Sequence, residues 1–142
     1  MENNYSIDHE PDVDATHRYL SRSYWAAGIP RPLVARSVAN SLCFALKHRG
    51  EQVGFARVVT DRATFAYLAD VYVLEEHRGR ALGRRLIEAV HAHPELQGLR
   101  RWLLVTRDAH GLYRRFGWTD LAHPERHMEI LESLPYRREG SP

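Results

Sequence analysis

The spacing of apolar and polar positions changes several times along the chain, and each change marks an expected element. Residues 14–23 and 32–40 read as two helices, separated by a stretch that contains glycine and proline. Either Asp12 or Asp14 is placed to cap the first helix, and Pro32 suits the first turn of the second. The chain is therefore expected to open with a pair of helices.

Runs rich in β-branched and aromatic residues follow this helical pair. Residues 42–48 and 52–60 flank Arg49-Gly50, which predicts two strands joined by a hairpin turn. Residues 62–74 form the longest such run and predict a third strand. These strands are expected to build the first part of a sheet.

The second half of the chain alternates between helical and strand-like patterns. One face of a predicted helix carries Leu82, Leu86, Ala89 and Val90, and Pro94 ends that helix. The remaining patterns predict a strand over residues 100–106, a short helix over 108–118 and a closing strand over 126–131. This order of elements indicates an α/β fold, with a mixed sheet and helices on its faces.

Composition narrows the possible functions. The 142 residues include 44% hydrophobic and 27% charged residues, which is typical of one globular domain, 1–142, with residues 1–10 and 135–142 expected to be mobile. The net charge of +2 argues against a nucleic-acid partner. The single cysteine, Cys43, lies in an apolar run and is expected to be a buried thiol. No apolar run could span a membrane and no signal sequence is evident, so a cytoplasmic protein is expected.

Residues 75–90, EEHRGRALGRRLIEAV, follow the longest predicted strand and open the predicted helix. A glycine-containing loop at the start of a helix directs backbone N–H groups at one point, where the helix dipole and nearby arginines favour an anion. Neither a Walker loop nor a dinucleotide fingerprint fits, since no Lys-Ser or Lys-Thr follows the glycines and the glycine spacing is wrong. The loop therefore predicts another kind of phosphate site.

Two segments resemble a known family. Residues 78–83, RGRALG, are similar to the R/Q-x-x-G-x-G/A signature of the GNAT superfamily of acetyl-CoA-dependent N-acetyltransferases. Residues 108–118 resemble that family's A-x-x-x-Y-x-x-x-G-F/W segment, with Ala109, Tyr113, Gly117 and Trp118 in register. The resemblance covers residues 40–132 and implies a GNAT-like fold, in which helices flank both faces of a mixed, mostly antiparallel and splayed sheet.

This resemblance implies an enzyme that moves acetyl from acetyl-CoA directly to a primary amine in a ternary complex. The cofactor-binding residues would be Tyr72, Val73, Arg78, Gly79, Arg80, Ala81, Leu82 and Gly83. Ala81 replaces the first motif glycine, and the substitution is expected to be mild if its φ is negative. Tyr113 is the candidate general acid. Asp70 is a candidate base, with Glu129, a water relay or no base at all as alternatives.

Tyr24 and Trp25 fall in the loop between the first two helices, which in the resembling family lines the acceptor pocket. They are candidate substrate-binding residues for a small-molecule or peptide amine with an apolar or cationic body. The nine histidines form no ligand cluster in the sequence, so no metal is expected. A monomer or a homodimer is equally compatible. The rival interpretation is a non-catalytic coenzyme A sensor or protein-interaction module on the same fold.

Overall fold

The computed structural model describes residues 4–136, which form two compact units, one ending at Val105 and the other beginning at Thr106. The first unit contains β1 (Tyr5–Asp8), α1 (Val13–Leu20), α2 (Arg31–Ala39), β2 (Leu42–His48), β3 (Glu51–Thr60), β4 (Phe65–Val73), α3 (Leu82–Ala92) and β5 (Arg101–Leu104). The second unit contains α4 (His110–Arg114). Single 3-10 turns lie at Glu75–His77, Pro94–Leu96 and Pro124–Arg126.

The five strands form one sheet in the order β1-β2-β3-β4-β5. The first three pairings are antiparallel, and β4 pairs with β5 in parallel. The mixed, mostly antiparallel sheet that the sequence predicts is therefore confirmed. Pairing between β4 and β5 stops where Leu68 lies opposite Leu104, while β4 continues to Val73. β5 ends at Leu104, so the C-terminal end of β4 has no pairing with β5.

Most predicted elements are confirmed, including the hairpin turn, where Arg49 and Gly50 both adopt positive φ. Asp12 is the cap of α1, because its side chain accepts a hydrogen bond from the backbone N–H of Ala15. β1 is not predicted by the sequence pattern; it is short and pairs with β2 from Tyr5 opposite His48. These two rings stack with centroids 4.4 Å apart, so a tertiary contact fixes a stretch that was expected to be mobile.

The predicted closing strand over residues 126–131 is wrong. Arg126 ends a 3-10 turn, and residues 127–131 have no regular secondary structure. Met128 and Ile130 are exposed despite their apolar, strand-favouring side chains. Strand propensity reflects packing against a neighbouring strand, and without such a partner the pattern does not produce a strand. The expected mobile tail over 135–142 falls mostly on residues 137–142, which lie outside the described residues.

Helices cover both faces of the sheet in the first unit. Leu42–Leu46 of β2 is buried without interruption, which is typical of a strand with covered faces. One face carries Phe44, whose ring contacts that of His93 just after α3. The other face carries Cys43, whose thiol points at the carbonyl of Val38 in α2. Side chains alternate between the faces of a strand, so α3 and the α1–α2 pair lie on opposite sides.

β4 contains a bulge at Asp70. Arg57 of β3 lies opposite Ala69, whereas Phe55 lies opposite Tyr72, so β4 carries one residue more than its partner over this interval. Asp70 takes up the extra length with a φ of 54°, in the left-handed region that few residues other than glycine, asparagine and aspartate adopt. The bulge brings the side chain of Asp70 to that of Arg57 on the α1–α2 face.

The start of α3 corrects one expectation. Ala81 precedes the first turn with φ 60° and ψ 26°, a left-handed conformation, and its side chain makes no capping hydrogen bond. The assumption of negative φ, under which alanine would cost nothing here, is therefore wrong. An alanine in this region costs about 1–2 kcal/mol relative to its favoured conformation, whereas glycine adopts it freely.

Gly54 provides a test of sheet packing. A Cβ atom at this position would lie 2.9 Å from Cδ2 of Leu46 and 3.0 Å from the carbonyl oxygen of Tyr72. We expect Gly54→Ala to lower the free energy of unfolding by about 1–3 kcal/mol, because the backbone carbonyl of Tyr72 cannot move away from the added methyl group without disturbing the sheet. Gly83→Ala is the matched control, because a Cβ there meets nothing within 4 Å. Equal denaturant midpoints for the two variants would contradict this packing.

Ala81 provides a test of backbone strain. We expect Ala81→Gly to raise the free energy of unfolding by roughly 0.5–1 kcal/mol, because relief of strain exceeds the added flexibility of the unfolded chain. Ala89→Gly, inside the same helix, should instead lower it by about 1 kcal/mol. Chemical denaturation of both variants measures the difference. A loss of stability in Ala81→Gly would contradict the left-handed conformation.

Candidate active site

An ion pair lies at the bulge of β4. Nε of Arg57 donates to Oδ2 of Asp70 at 2.7 Å, and the two side chains are only 19% and 10% exposed. The other carboxylate oxygen, Oδ1, accepts a hydrogen bond from Nε1 of Trp25 at 2.8 Å. Both oxygens of Asp70 are therefore engaged, one by a cation and one by an indole N–H. The chain Trp25–Asp70–Arg57 fastens the loop between α1 and α2 to the middle of the sheet.

Four aromatic rings surround this attachment. Tyr19 of α1 stacks on Tyr72 of β4 with ring centroids 3.8 Å apart and planes 7° from parallel. Trp25 lies 6.2 Å from Tyr19 and meets Tyr24 edge-to-face at 5.1 Å. Tyr24 and Trp25 remain 55% and 39% exposed, which is high for rings of this size. The structure thus brings the predicted substrate-binding pair and the predicted base, Asp70, into one cluster.

Sequence reasoning missed Tyr19 and Arg57 as members of this cluster. Tyr19 could have been found from the helical period of α1, since it precedes the buried Leu20 and lies one turn after Thr16. The pairing of Arg57 depends on the register shift across the bulge, for which the sequence carries no local signal.

A buried polar network holds α1 over the same strands. Nε2 of Gln52 donates to Oγ1 of Thr16 at 2.8 Å and to the hydroxyl oxygen of Tyr72 at 3.2 Å. Its Oε1 accepts from the backbone N–H of Asp12 at 2.8 Å. Burial raises the pKa of Tyr72 to about 12, so the phenol stays protonated at neutral pH. This network fixes the position of Tyr72 and, through ring stacking, that of Tyr19.

The side chain of Arg78 ties the predicted phosphate loop to the end of β4. Its Nε donates to the carbonyl oxygen of Val73 at 2.9 Å, and its Nη2 donates to the hydroxyl of Tyr19 at 3.3 Å. Both acceptors are uncharged, so these contacts leave the positive charge of the guanidinium unneutralised.

The backbone at the end of β4 has a defined direction. The N–H of Leu74 donates to the carbonyl of Val53 in β3. Successive residues of an antiparallel strand direct their N–H and C=O groups alternately toward the neighbouring strand and away from it. The backbone of Val73 is therefore directed away from β3.

The loop ends at the uncapped start of α3. The first helical bond runs from the N–H of Arg85 to the carbonyl of Ala81, so the N–H groups of Leu82, Gly83 and Arg84 have no partner within the helix. Gly79 has a φ of 82°, a conformation that suits glycine. Free helical N–H groups, the helix dipole and the arginine side chains together make this loop suited to a phosphate group.

Cys43 is unsuited to act as a nucleophile. Its side chain is buried, and burial raises the pKa of the thiol to about 11, with the nearby charges of Arg57 and Asp70 acting in opposite directions. The thiolate is the reactive form, and at neutral pH almost none is present. The expectation of a buried thiol is confirmed.

The second unit contains the other motif. Tyr113 is a buried residue of α4, and its ring meets that of Trp118 edge-on at a centroid distance of 5.9 Å. The backbone N–H of Trp118 donates to the carbonyl of Tyr113, and Gly117 closes the turn between them with a φ of 93°. Glu129, the alternative base, is exposed in the irregular segment that follows. The motif therefore forms one turn of helix closed by glycine.

Residues 4–136 contain neither a candidate metal site nor a candidate membrane-spanning helix. In this part of the chain, no three His, Cys, Asp or Glu side chains gather closely enough to hold a metal ion. None of its helices is both long and apolar enough to cross a bilayer.

Comparison with known proteins agrees with this geometry. The family model described as an acetyltransferase (GNAT) domain matches residues 39–120, more than half of the chain. A crystal structure from Xanthomonas campestris pv. campestris, of a proposed acetyltransferase of the GNAT family, is 48% identical with a TM-score of 0.92. That alignment covers 94% of this chain and 97% of the other.

Two further relatives extend the comparison. A proposed acetyltransferase of Gibberella zeae is 33% identical, over 77% of this chain and 75% of its own. A GNAT family acetyltransferase from Elizabethkingia anophelis, solved with acetyl-CoA bound, has a TM-score of 0.62 over 92% of this chain and 90% of its own. At 14% identity this last likeness concerns the fold alone. The fold, the two motifs and the matching family model lead to one conclusion, that this chain belongs to the GNAT family of acetyltransferases.

Proposed function

We propose that the protein transfers an acetyl group from acetyl-CoA to a primary amine, directly, in a ternary complex. The observation that carries the proposal is the uncapped start of α3, with the charge of Arg78 beside it, at the end of β4. A relative of the same fold was solved with acetyl-CoA bound, which supports this choice of cosubstrate. The reaction needs no metal in this proposal.

In the proposed complex, the backbone of residues 78–83 holds the pyrophosphate and the end of β4 holds the pantetheine arm. The outward direction of its backbone favours Val73 over Tyr72 as the partner of the arm. The carbonyl of Val73 already accepts a hydrogen bond from Arg78, but a carbonyl oxygen has two lone pairs and can accept a second. The exposed guanidinium of Arg78 then lies where the coenzyme's charge would arrive.

Direct transfer is favoured over an acetylated enzyme because Cys43, the single thiol of the sequence, is buried and neutral. In the proposed step the amine nitrogen bonds to the acetyl carbon as the carbon–sulfur bond breaks. The sulfur leaves with the bonding pair and takes a proton, for which the family resemblance alone proposes Tyr113 as the donor. The amine proton passes to water, and water returns a proton to the tyrosine.

Water is the favoured base because Asp70 already has a partner on each oxygen. A carboxylate held by a guanidinium and an indole N–H is positioned to anchor the Trp25 loop. We therefore propose that Asp70 orients the acceptor wall and that the amine reaches the acetyl group already neutral. Glu129 remains the alternative base on the resemblance alone.

A coenzyme A sensor without turnover is the second candidate. The observation that favours it is the methyl group of Ala81, which stands at a left-handed position of the phosphate loop. A side chain there restricts how closely the backbone approaches a pyrophosphate. The two candidates differ in turnover: a sensor binds acetyl-CoA and releases no thiol with any amine.

The cofactor proposal is tested by calorimetric titration of acetyl-CoA into the protein at low and moderate salt. We expect one-to-one binding that persists at moderate salt, and a loss of about tenfold or more in affinity in Arg78→Ala. Arg36→Ala, an exposed arginine of α2, is the matched control and should bind normally. Absence of binding to the unaltered protein would reject the proposal, and binding without thiol release across an amine panel would favour the sensor.

Tyr113→Phe tests the proposed acid. We expect kcat to fall by about 100-fold or more, because general acid catalysis commonly contributes two to four orders of magnitude. The Kd for acetyl-CoA should hold within about twofold, since only the transition state loses an interaction. Tyr136→Phe, in the same unit, should leave both constants unchanged. An unaltered kcat in Tyr113→Phe would remove this residue from the mechanism.

A further inference from the structure

We infer that the acceptor is a primary alkylamine that carries an aromatic ring on a short chain, and that this ring packs on the exposed rings of Trp25 and Tyr24. The inference rests on the proposed acetyl transfer and names the substrate class for it. Three features of the cluster at the β4 bulge carry it: a fixed aromatic surface, a carboxylate that is already neutralised, and the steep angle between the two exposed rings.

The first feature is the rigidity of the surface. Trp25 belongs to a loop, yet its indole N–H is held at 2.8 Å by a carboxylate from the middle of the sheet. That carboxylate is itself held by Arg57 at 2.7 Å, and Arg57 also donates from Nη1 to the hydroxyl of Ser41 at 3.2 Å. The orientation of the indole is thereby fixed before any ligand arrives. A preorganised ring loses little conformational freedom on binding.

The second feature is charge. A polyamine site needs carboxylates that are not already in an ion pair. The carboxylate that Trp25 contacts, Asp70, is paired with a guanidinium. An acceptor with several positive charges would find this carboxylate already occupied by Arg57 and Trp25. The chemistry therefore favours an acceptor whose body is uncharged.

The shape of the exposed surface indicates what that body is. Trp25 and Tyr24 meet at 81°, so a flat ring placed on one of them also meets the edge or the face of the other. Aromatic pairs prefer these edge-to-face and offset arrangements, and the preference is worth several-fold to about tenfold beyond the area buried. An aliphatic body of equal size gains the area alone. An aromatic ring is therefore expected to bind this surface more tightly than an aliphatic body of equal size.

The test begins with binding, measured apart from turnover. Calorimetry of 2-phenylethylamine, 2-cyclohexylethylamine and spermidine is made with protein saturated with coenzyme A. We expect 2-phenylethylamine to bind several-fold more tightly than its cyclohexyl counterpart and at least tenfold more tightly than spermidine. Equal or tighter binding of either competitor would overturn the inference.

Variants of Trp25 identify the surface. Trp25→Leu, which removes both the ring and the N–H donor, should abolish the preference for the phenyl over the cyclohexyl amine. Trp25→Phe keeps a ring but loses the bond to Asp70, so part of the preference should remain. Trp102→Phe, on β5 opposite Ala66 and so paired with the far end of β4, is the control and should behave as the unaltered protein. A full preference in Trp25→Leu would overturn the site.

Thiol release with acetyl-CoA and the same amines then separates the two proposals. Release with 2-phenylethylamine at a kcat/KM at least tenfold above that for spermidine supports both. Release with spermidine alone leaves the acetyltransferase proposal standing and overturns the aromatic acceptor. In a third outcome, 2-phenylethylamine binds in a way that depends on Trp25, but none of the amines causes thiol release. That result overturns the acceptor role and supports the coenzyme A sensor.

Discussion

The ion pair between Arg57 and Asp70 is the contact on which the candidate site depends. It joins β3 to the bulge of β4, and through Trp25 it attaches the loop between α1 and α2. Buried pairs of this kind add little net stability, because removing two charges from water offsets most of their attraction. Their effect is to select one arrangement, since breaking the pair would leave a charge without a partner. Here the selected arrangement is an exposed aromatic surface above the strand.

The bulge of β4 lies at the residue that holds Trp25 and before the residue proposed to bind the pantetheine arm. Before Ala69, β4 pairs with both neighbours, and beyond Leu68 it pairs with β3 alone. The extra residue directs Asp70 to the α1–α2 face, and the strand then continues with the backbone of Val73 facing away from β3. Asp70, which holds the proposed acceptor surface, and Val73, the proposed pantetheine partner, therefore lie on one short segment of β4. The extra residue interrupts the two-residue period of the strand, and so changes which side chains beyond Ala69 face α1 and α2.

Ala81 shows how a motif departs from its family pattern at a definable physical cost. The loop keeps the left-handed conformation that a glycine favours, although alanine occupies the position. The surrounding structure maintains this conformation, with the buried Leu82 following at once and Arg78 bound to Val73 before it. Strain of this kind persists where neighbouring contacts fix the backbone, and such places are often functional.

The sequence by itself determined the helices and the hairpin, and it indicated the candidate phosphate loop and the candidate site residues Tyr24, Trp25 and Asp70, because periodicity and turn chemistry are local. Only the tertiary structure decided β1, the irregular path after Arg126 and the pairing of Arg57 with Asp70. A strand forms only with a partner, and that partner is often distant in the chain. A bulge likewise shifts the register by one residue, and so decides which distant side chains meet.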